Sequence, residues 1–168
     1  MDVVVSRAGA AEWRTVREVR LRALAADPAA FGSTLAREQA FGDDVWRGRA
    51  GAGRTFLARR GGAVVGIASY YVEEGREDER QLVSMWVAPE ARGSGIAPLL
   101  VGAVRDAAAA EGAAALTLFV AQGNEAARRL YERLGFRPTG EIQALPSDPS
   151  RGEERYALPL AAGRGGTG

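Results

Sequence analysis

Cysteine, histidine and lysine are all absent from this chain, and each absence removes a class of chemistry. Without cysteine there is no disulfide, no thiol nucleophile and no thiolate metal site. Without histidine the commonest acid–base group and metal ligand is missing. Without lysine neither a Schiff base nor a P-loop lysine is available. All 22 basic residues are arginine, against 21 acids, so the net charge is +1. No global field favours nucleic acid or a membrane surface. No apolar run approaches the ~20 residues of a spanning helix. The opening Met1-Asp2-Val3-Val4-Val5-Ser6-Arg7 reads as a short strand, without a charged leader and long apolar segment. The expected setting is cytoplasmic.

With 168 residues, 46% hydrophobic and 26% charged, the chain reads as one globular domain over 1–162 with a disordered tail over 163–168. The pattern predicts a strand at 2–7 and a helix at 10–26. Trp13, Val16, Ala23 and Leu24 share a face of that helix, flanked by Val19 and Leu21. Asp27-Pro28 ends it. A second helix is predicted from Thr34 to Ala50, with Ser33 as N-cap. Strands at 54–60 and 63–72 flank a Gly61-Gly62 hairpin turn. A charged loop over 73–79 precedes a strand at 81–88. A helix then runs to Glu111, followed by a strand at 116–120 and a short helix from Asn124 to Leu134. Gly135 ends that helix. Strands at 136–143 and 153–160 frame the loop Pro146-Ser147-Asp148-Pro149. The order β-α-α-β-β-β-α-β-α-β-β is α+β, with a mixed, mostly antiparallel sheet of about seven strands and about four helices, unlike a Rossmann alternation.

Two segments carry chemistry. Met85-Trp86-Val87 ends a strand and leads into Arg92-Gly93-Ser94-Gly95-Ile96-Ala97, a glycine-rich turn that opens a helix. Glycines there let the backbone turn with its N–H groups outward. The free amides and dipole at the helix start suit a phosphate. A tight β-to-α connection without a ligand is the plainer reading. The second segment is Asn124 to Phe136. On a helix, Asn124, Ala127 and Tyr131 fall on one face, with Asn124 and Tyr131 roughly 10 Å apart along the axis. An extended ligand would meet an amide at one end and a phenol at the other.

Together the two segments resemble the GNAT superfamily of N-acetyltransferases. Arg92-Gly93-Ser94-Gly95-Ile96-Ala97 fits its acyl-CoA loop. Asn124, Ala127, Tyr131, Gly135 and Phe136 fit its later pattern. Arg20-Leu21-Arg22-Ala23-Leu24 and Asp27-Pro28-Ala29-Ala30-Phe31-Gly32 resemble a bacterial branch. The resemblance implies acetyl-CoA as cosubstrate, no metal, and a small-molecule or peptide amine as acceptor, with a second copy of the chain kept open as a partner. It implies that amides from Gly93 to Ala97 hold the pyrophosphate and that Arg92 adds charge there. Backbone groups of Met85, Trp86 and Val87 would meet the pantetheine arm between two splayed strands, near Phe119. Asn124 would bind the arm or cap its helix. Tyr131 would donate a proton to the departing thiolate, since a phenol of pKa ~10 is protonated at neutral pH. Backbone N–H groups near Val87 would polarise the carbonyl.

Two departures from the family pattern stand out. Pro98 lies in the first helical turn and takes away one amide. The strand from Gln81 to Val87 has no carboxylate where many members place a glutamate base. Without cysteine or histidine the amine is expected to attack directly in a ternary complex. Its proton would leave unaided, so that activity follows the amine's own pKa. A distant Glu38, Glu73 or Glu79 acting through water is the alternative. Arg20, inside an apolar arc, is expected in an ion pair more than against substrate. Trp46 is expected in the core. Tyr70 and Tyr71 should split between core and cleft. The loop over 73–79 is either a solvated face or an acidic rim. Two other functions fit less well. One is an acyl-CoA-binding domain without turnover. The other is a nucleotide-binding protein, which would need an acidic residue ~20 positions on.

Overall fold

The structure, a computed structural model, describes residues 2–161, so the tail expected over 163–168 lies outside the described residues. Seven strands form one sheet in the order β1-β2-β3-β4-β5-β7-β6. They are β1 (Val3–Arg7), β2 (Thr55–Arg60), β3 (Ala63–Tyr71), β4 (Glu79–Val87), β5 (Ala115–Ala121), β6 (Arg137–Leu145) and β7 (Asp148–Pro159). Only β4 and β5 run parallel; the other neighbours are antiparallel. The mixed, mostly antiparallel α+β architecture is as the sequence implies.

Helix α1 (Trp13–Ala26) buries Trp13, Val16, Val19, Ala23 and Leu24, the expected face. They join Trp46, Leu57, Ile67 and Trp86 in a core on one side of the sheet. The second predicted helix is two: α2 (Leu35–Gln39) and α3 (Asp43–Gly51). Gly42 takes an extended conformation as N-cap of α3, which breaks the run. Thr34, not Ser33, caps α2 and accepts from Arg37 N. Among the described residues the α-helices therefore number five.

Helix α4 (Ile96–Ala110) buries Ile96, Leu100, Val101, Val104, Ala107 and Ala108 against the other side of the sheet. That close approach requires glycine at position 66. A Cβ there would lie 2.9 Å from Leu100 Cδ1 and 3.1 Å from the Trp86 carbonyl oxygen. Helix α5 (Glu125–Arg133) follows β5 and packs through Tyr131 and, more shallowly, Ala127 and Leu130.

The β6–β7 hairpin is longer than expected and turns at Pro146-Ser147 alone. β5 pairs β7 only from Glu153 onward. Pro149 therefore lies where β7 outruns its inner neighbour, at an irregularity of the β6 pairing, and its missing N–H goes unneeded.

Two irregularities in β4 shape the site. Its pairing with β5 stops after Glu79↔Ala115, Arg80↔Leu116 and Gln81↔Thr117. Beyond that point the two strands diverge. Its register against β3 also slips between Ile67↔Trp86 and Ser69↔Val83, which leaves an extra residue on β4. Ser84 there has φ 56° and is the one non-glycine residue with positive φ among those described. Such strain persists only where the surroundings hold it. Arg20 Nη1 donates to Ser84 Oγ at 3.3 Å, while its Nε and Nη2 donate to Glu38 at 3.0 and 2.9 Å.

Candidate active site

The divergence of β4 and β5 opens a wedge of about 350 Å³. Gln81 to Met85 line one side and Leu118 to Ala121 the other. Peptide groups on these facing edges have no strand between them, so they can bond a ligand that enters. Asn124, Ala127 and Tyr131 form one wall, which brings together the helical face predicted from their spacing. Asn124 Oδ1 caps α5 by accepting from Ala127 N at 3.2 Å, and its amide nitrogen keeps both hydrogens for another partner. Tyr131 is 8% exposed. Its ring packs edge-on against Phe136 at 5.7 Å. Its hydroxyl has no hydrogen-bond partner among the described residues, and burial pushes the phenol well above its ordinary pKa.

A second cavity, about 500 Å³, lies at the start of α4. Val87, Gly93, Gly95, Ile96, Ala97 and Pro98 line it, with Arg133 at the end of α5 and Leu134 after it opposite. Gly95 is the N-cap of α4 and, like Gly93, is left-handed, with φ 81° and 80°. A Cβ on either would point into open space. The glycines are therefore needed for the turn and for ligand access rather than for packing.

The remaining predicted residues divide. Met85 lines the wedge. The Trp86 side chain is buried on the far side of the sheet, where Nε1 donates to Asp27 Oδ2 at 2.7 Å. Trp86 lines neither cavity, unlike Met85 before it and Val87 after it. Arg92 lines the second cavity, but its Nη2 donates to Asp27 at 2.6 Å and its Nε to the Val87 carbonyl at 3.1 Å. Its charge is thus already matched by a carboxylate. Ser94 Oγ donates to the Ala91 carbonyl and braces the turn. Val87 packs beside Met85, and Phe119 lines the wedge as expected. Tyr70 is buried and Tyr71 faces the cleft, which is the predicted split.

The carboxylates weighed as distant bases fare differently. Glu38 is 1% exposed between Arg20 and Arg49. Burial alone would raise its pKa, but hydrogen bonds from Arg20, Arg49 and Ser33 hold it at about 2. A group that acidic takes up no proton near neutrality. Glu79 is tied to Arg155 at the closed end of the sheet. Glu73 sits in the outer loop beside Arg76, at 3.6 Å.

Two further residues reach these cavities. Glu153 on β7 lines the wedge with Gln81, Gln143 and Tyr71. Burial raises its pKa, opposed by Gln143 Nε2, which donates to Oε1 at 2.6 Å. Its Oε2 has no partner among the described residues. Arg133 reaches the second cavity from the end of α5, exposed and without a carboxylate partner among those described. The Arg129–Arg133 spacing, one helical turn, was the available signal for it. Nothing local marks Glu153, because strand pairing alone carries it to the wedge.

A model of the acetyltransferase (GNAT) family matches residues 13–136. The chain belongs to that family. It is 46% identical over 62 residues to phosphinothricin N-acetyltransferase of Streptomyces coelicolor, a match over 37% of this chain and 36% of that protein. The chain thus spans about a third of the length of that curated relative. Solved structures show the same fold. The protein yncA of Salmonella typhimurium, determined with its cofactor acetyl-CoA, superposes with TM-score 0.76 at 18% identity over 99% of this chain and 98% of that one. The ribosomal-protein-S18-alanine N-acetyltransferase of Escherichia coli gives 0.70 at 21% identity over 99% and 100%. In this GNAT chain no helix among the described residues is long and apolar enough to cross a membrane.

Proposed function

We propose that this GNAT chain transfers the acetyl group of acetyl-CoA to a primary amine by direct attack in a ternary complex. The observation that carries this reading is the wedge. The diverging edges of β4 and β5, the buried protonated phenol of α5 and the N-terminus of α4 line neighbouring cavities.

The residues suit the cosubstrate part by part. Amides from Gly93 to Ala97 and the dipole of α4 face the pyrophosphate. Pro98 supplies no amide there, and Arg133 supplies the charge that Arg92 has already spent on Asp27. The β4 and β5 edges hold the pantetheine arm, with the Asn124 amide beside it. Bound acetyl-CoA supplies an activated acetyl thioester. Tyr131 Oη donates its proton to the departing sulfur, and the raised pKa keeps that proton in place until then. Glu153 takes the amine's proton through its unpartnered Oε2. Gln143 holds the other oxygen and fixes the carboxylate's direction.

Acetyl-CoA is expected to raise the melting temperature, because it binds the folded state selectively. Gly95→Asp should abolish that shift, measured against the variant's own unliganded transition. The substitution sets a negative charge where the phosphates lie and strains a left-handed residue. An unchanged shift would place the cosubstrate elsewhere.

The pH profile of kcat/KM tests Glu153. Activity should rise as pH climbs through the raised carboxyl pKa and Glu153 becomes a base. Two amines of different pKa should share that inflection. Glu153→Gln should lower kcat/KM by roughly tenfold or more and let the inflection follow the amine. A wild-type inflection that already follows the amine would restore unaided deprotonation, as first expected from the sequence.

A further inference from the structure

On the opposite side of the Ser84 bulge from Tyr131 lies a larger cavity, about 810 Å³, that the transfer chemistry leaves unused. It is bounded by α1, α2, α3 and the strands β2 to β4. Gly32, Tyr71, Val83 and Ser84 line both it and the wedge, so the two open onto each other at the bulge. Four arginines line it: Arg20, Arg37, Arg49 and Arg54. No aspartate or glutamate does.

The nearest compensating acid is Glu38, and its two oxygens are shared by Arg20 and Arg49. Arg37 bonds only a neutral partner, Ser33 Oγ at 3.3 Å, and lies over the Phe41 ring. Arg54 lies over the Tyr70 ring. Glu111 feels its charge through space, but no carboxylate comes within 4 Å of Arg37 or Arg54 among the described residues. The cavity therefore holds an excess of positive charge in a protein whose net charge is only +1. Its floor is polar too. Thr55 Oγ1 and Ser69 Oγ lie 2.9 Å apart there, and the Trp46 indole N–H is buried in the wall without a partner among the described residues. Across the bulge the sign reverses, since Glu153 faces the wedge.

We infer that the acceptor is a zwitterion: a primary amine that also carries a carboxylate or a comparable oxyanion. Its ammonium end meets Glu153 and its anionic end the arginine cavity. Arg37 and Arg54 supply planar forks for that anion. Arg20 and Arg49, already engaged by Glu38, hold the wall and the strained Ser84. The inference rests on the transferase reading and names its substrate class.

The test uses the full chain with acetyl-CoA and a thiol-release readout. The panel sets L-amino acids beside their carboxamides, and aminoalkylphosphonates beside the matching alkylamines. The acidic member of each accepted pair is expected to exceed its neutral partner by about tenfold or more in kcat/KM, the effect of a charge-assisted hydrogen bond. The double variant Arg37→Gln/Arg54→Gln should raise KM for the acid by about tenfold or more. It should leave kcat, the carboxamide and the acetyl-CoA melting shift nearly unchanged. Neutral partners accepted as well as acids would overturn the inference and leave the transferase reading intact. So would a KM for the acid that the double variant does not move. Acetylation of neutral or cationic amines with no acid accepted would do the same. No thiol release with any amine would overturn the transferase reading, and this inference with it.

Discussion

Tyr131→Phe is expected to lower kcat by ~10²-fold while acetyl-CoA affinity stays nearly intact. The substitution removes one oxygen and keeps the ring, so the edge-on packing against Phe136 survives. The hydroxyl makes no hydrogen bond among the described residues, so its loss leaves none of them stranded. Its whole effect should then fall on the step in which sulfur departs and needs a proton. Saturation kinetics separates the outcomes. A fall in kcat with little change in KM for acetyl-CoA assigns the proton to Tyr131. Wild-type turnover at every pH would reduce Tyr131 to a packing residue.

Glu38→Ala should destabilise the fold by about 3–5 kcal/mol, the range for breaking a buried ion pair on one side. It leaves the Arg20 guanidinium, 12% exposed, without its carboxylate, while Arg49 at 39% exposure can turn to water. Denaturant unfolding would measure the loss, and a change below about 1 kcal/mol would show that Arg20 finds other partners. The same carboxylate makes stability depend on pH. Its folded pKa of about 2 lies below the ordinary 4.5. Its contribution is therefore complete above pH 4.5 and fades as pH falls through about 2. Wild type should lose about 3 kcal/mol more than Glu38→Gln over that window. Because Arg20 also bonds Ser84, the variant should relax the bulge and lower activity beyond the loss of folded protein.

What the sequence makes legible here is local. The glycine turn, the helix it opens and the Asn124–Tyr131 face depend on spacings within a few residues, and each stands where those spacings put it. The α1 face is equally readable, down to Val19. The second helix was harder, because the apolar residues around Phe41 mimic continuity while Gly42 starts a new helix. Ser33 and Thr34 are equivalent caps on paper, and only the backbone conformation selects Thr34. Nothing nearby in sequence foretells that Asp27, 65 positions away, pairs with Arg92 at the second cavity. Glu153 and the four cavity arginines come together through strand order and helix packing. No periodicity encodes that.

The break between β4 and β5 has a mechanical side. Three residue pairs, Glu79↔Ala115 to Gln81↔Thr117, make up the strand pairing between the four-strand block β1 to β4 and the three-strand block of β5, β7 and β6. An extended ligand laid in the gap becomes a surrogate eighth strand that splices the two blocks. Amide hydrogens of Val83 to Val87 and Leu118 to Ala121 should then exchange more slowly when the splice is present. Sheet rigidity should then report occupancy, because a ligand in the gap would add the pairing that β4 and β5 lack beyond Gln81 and Thr117.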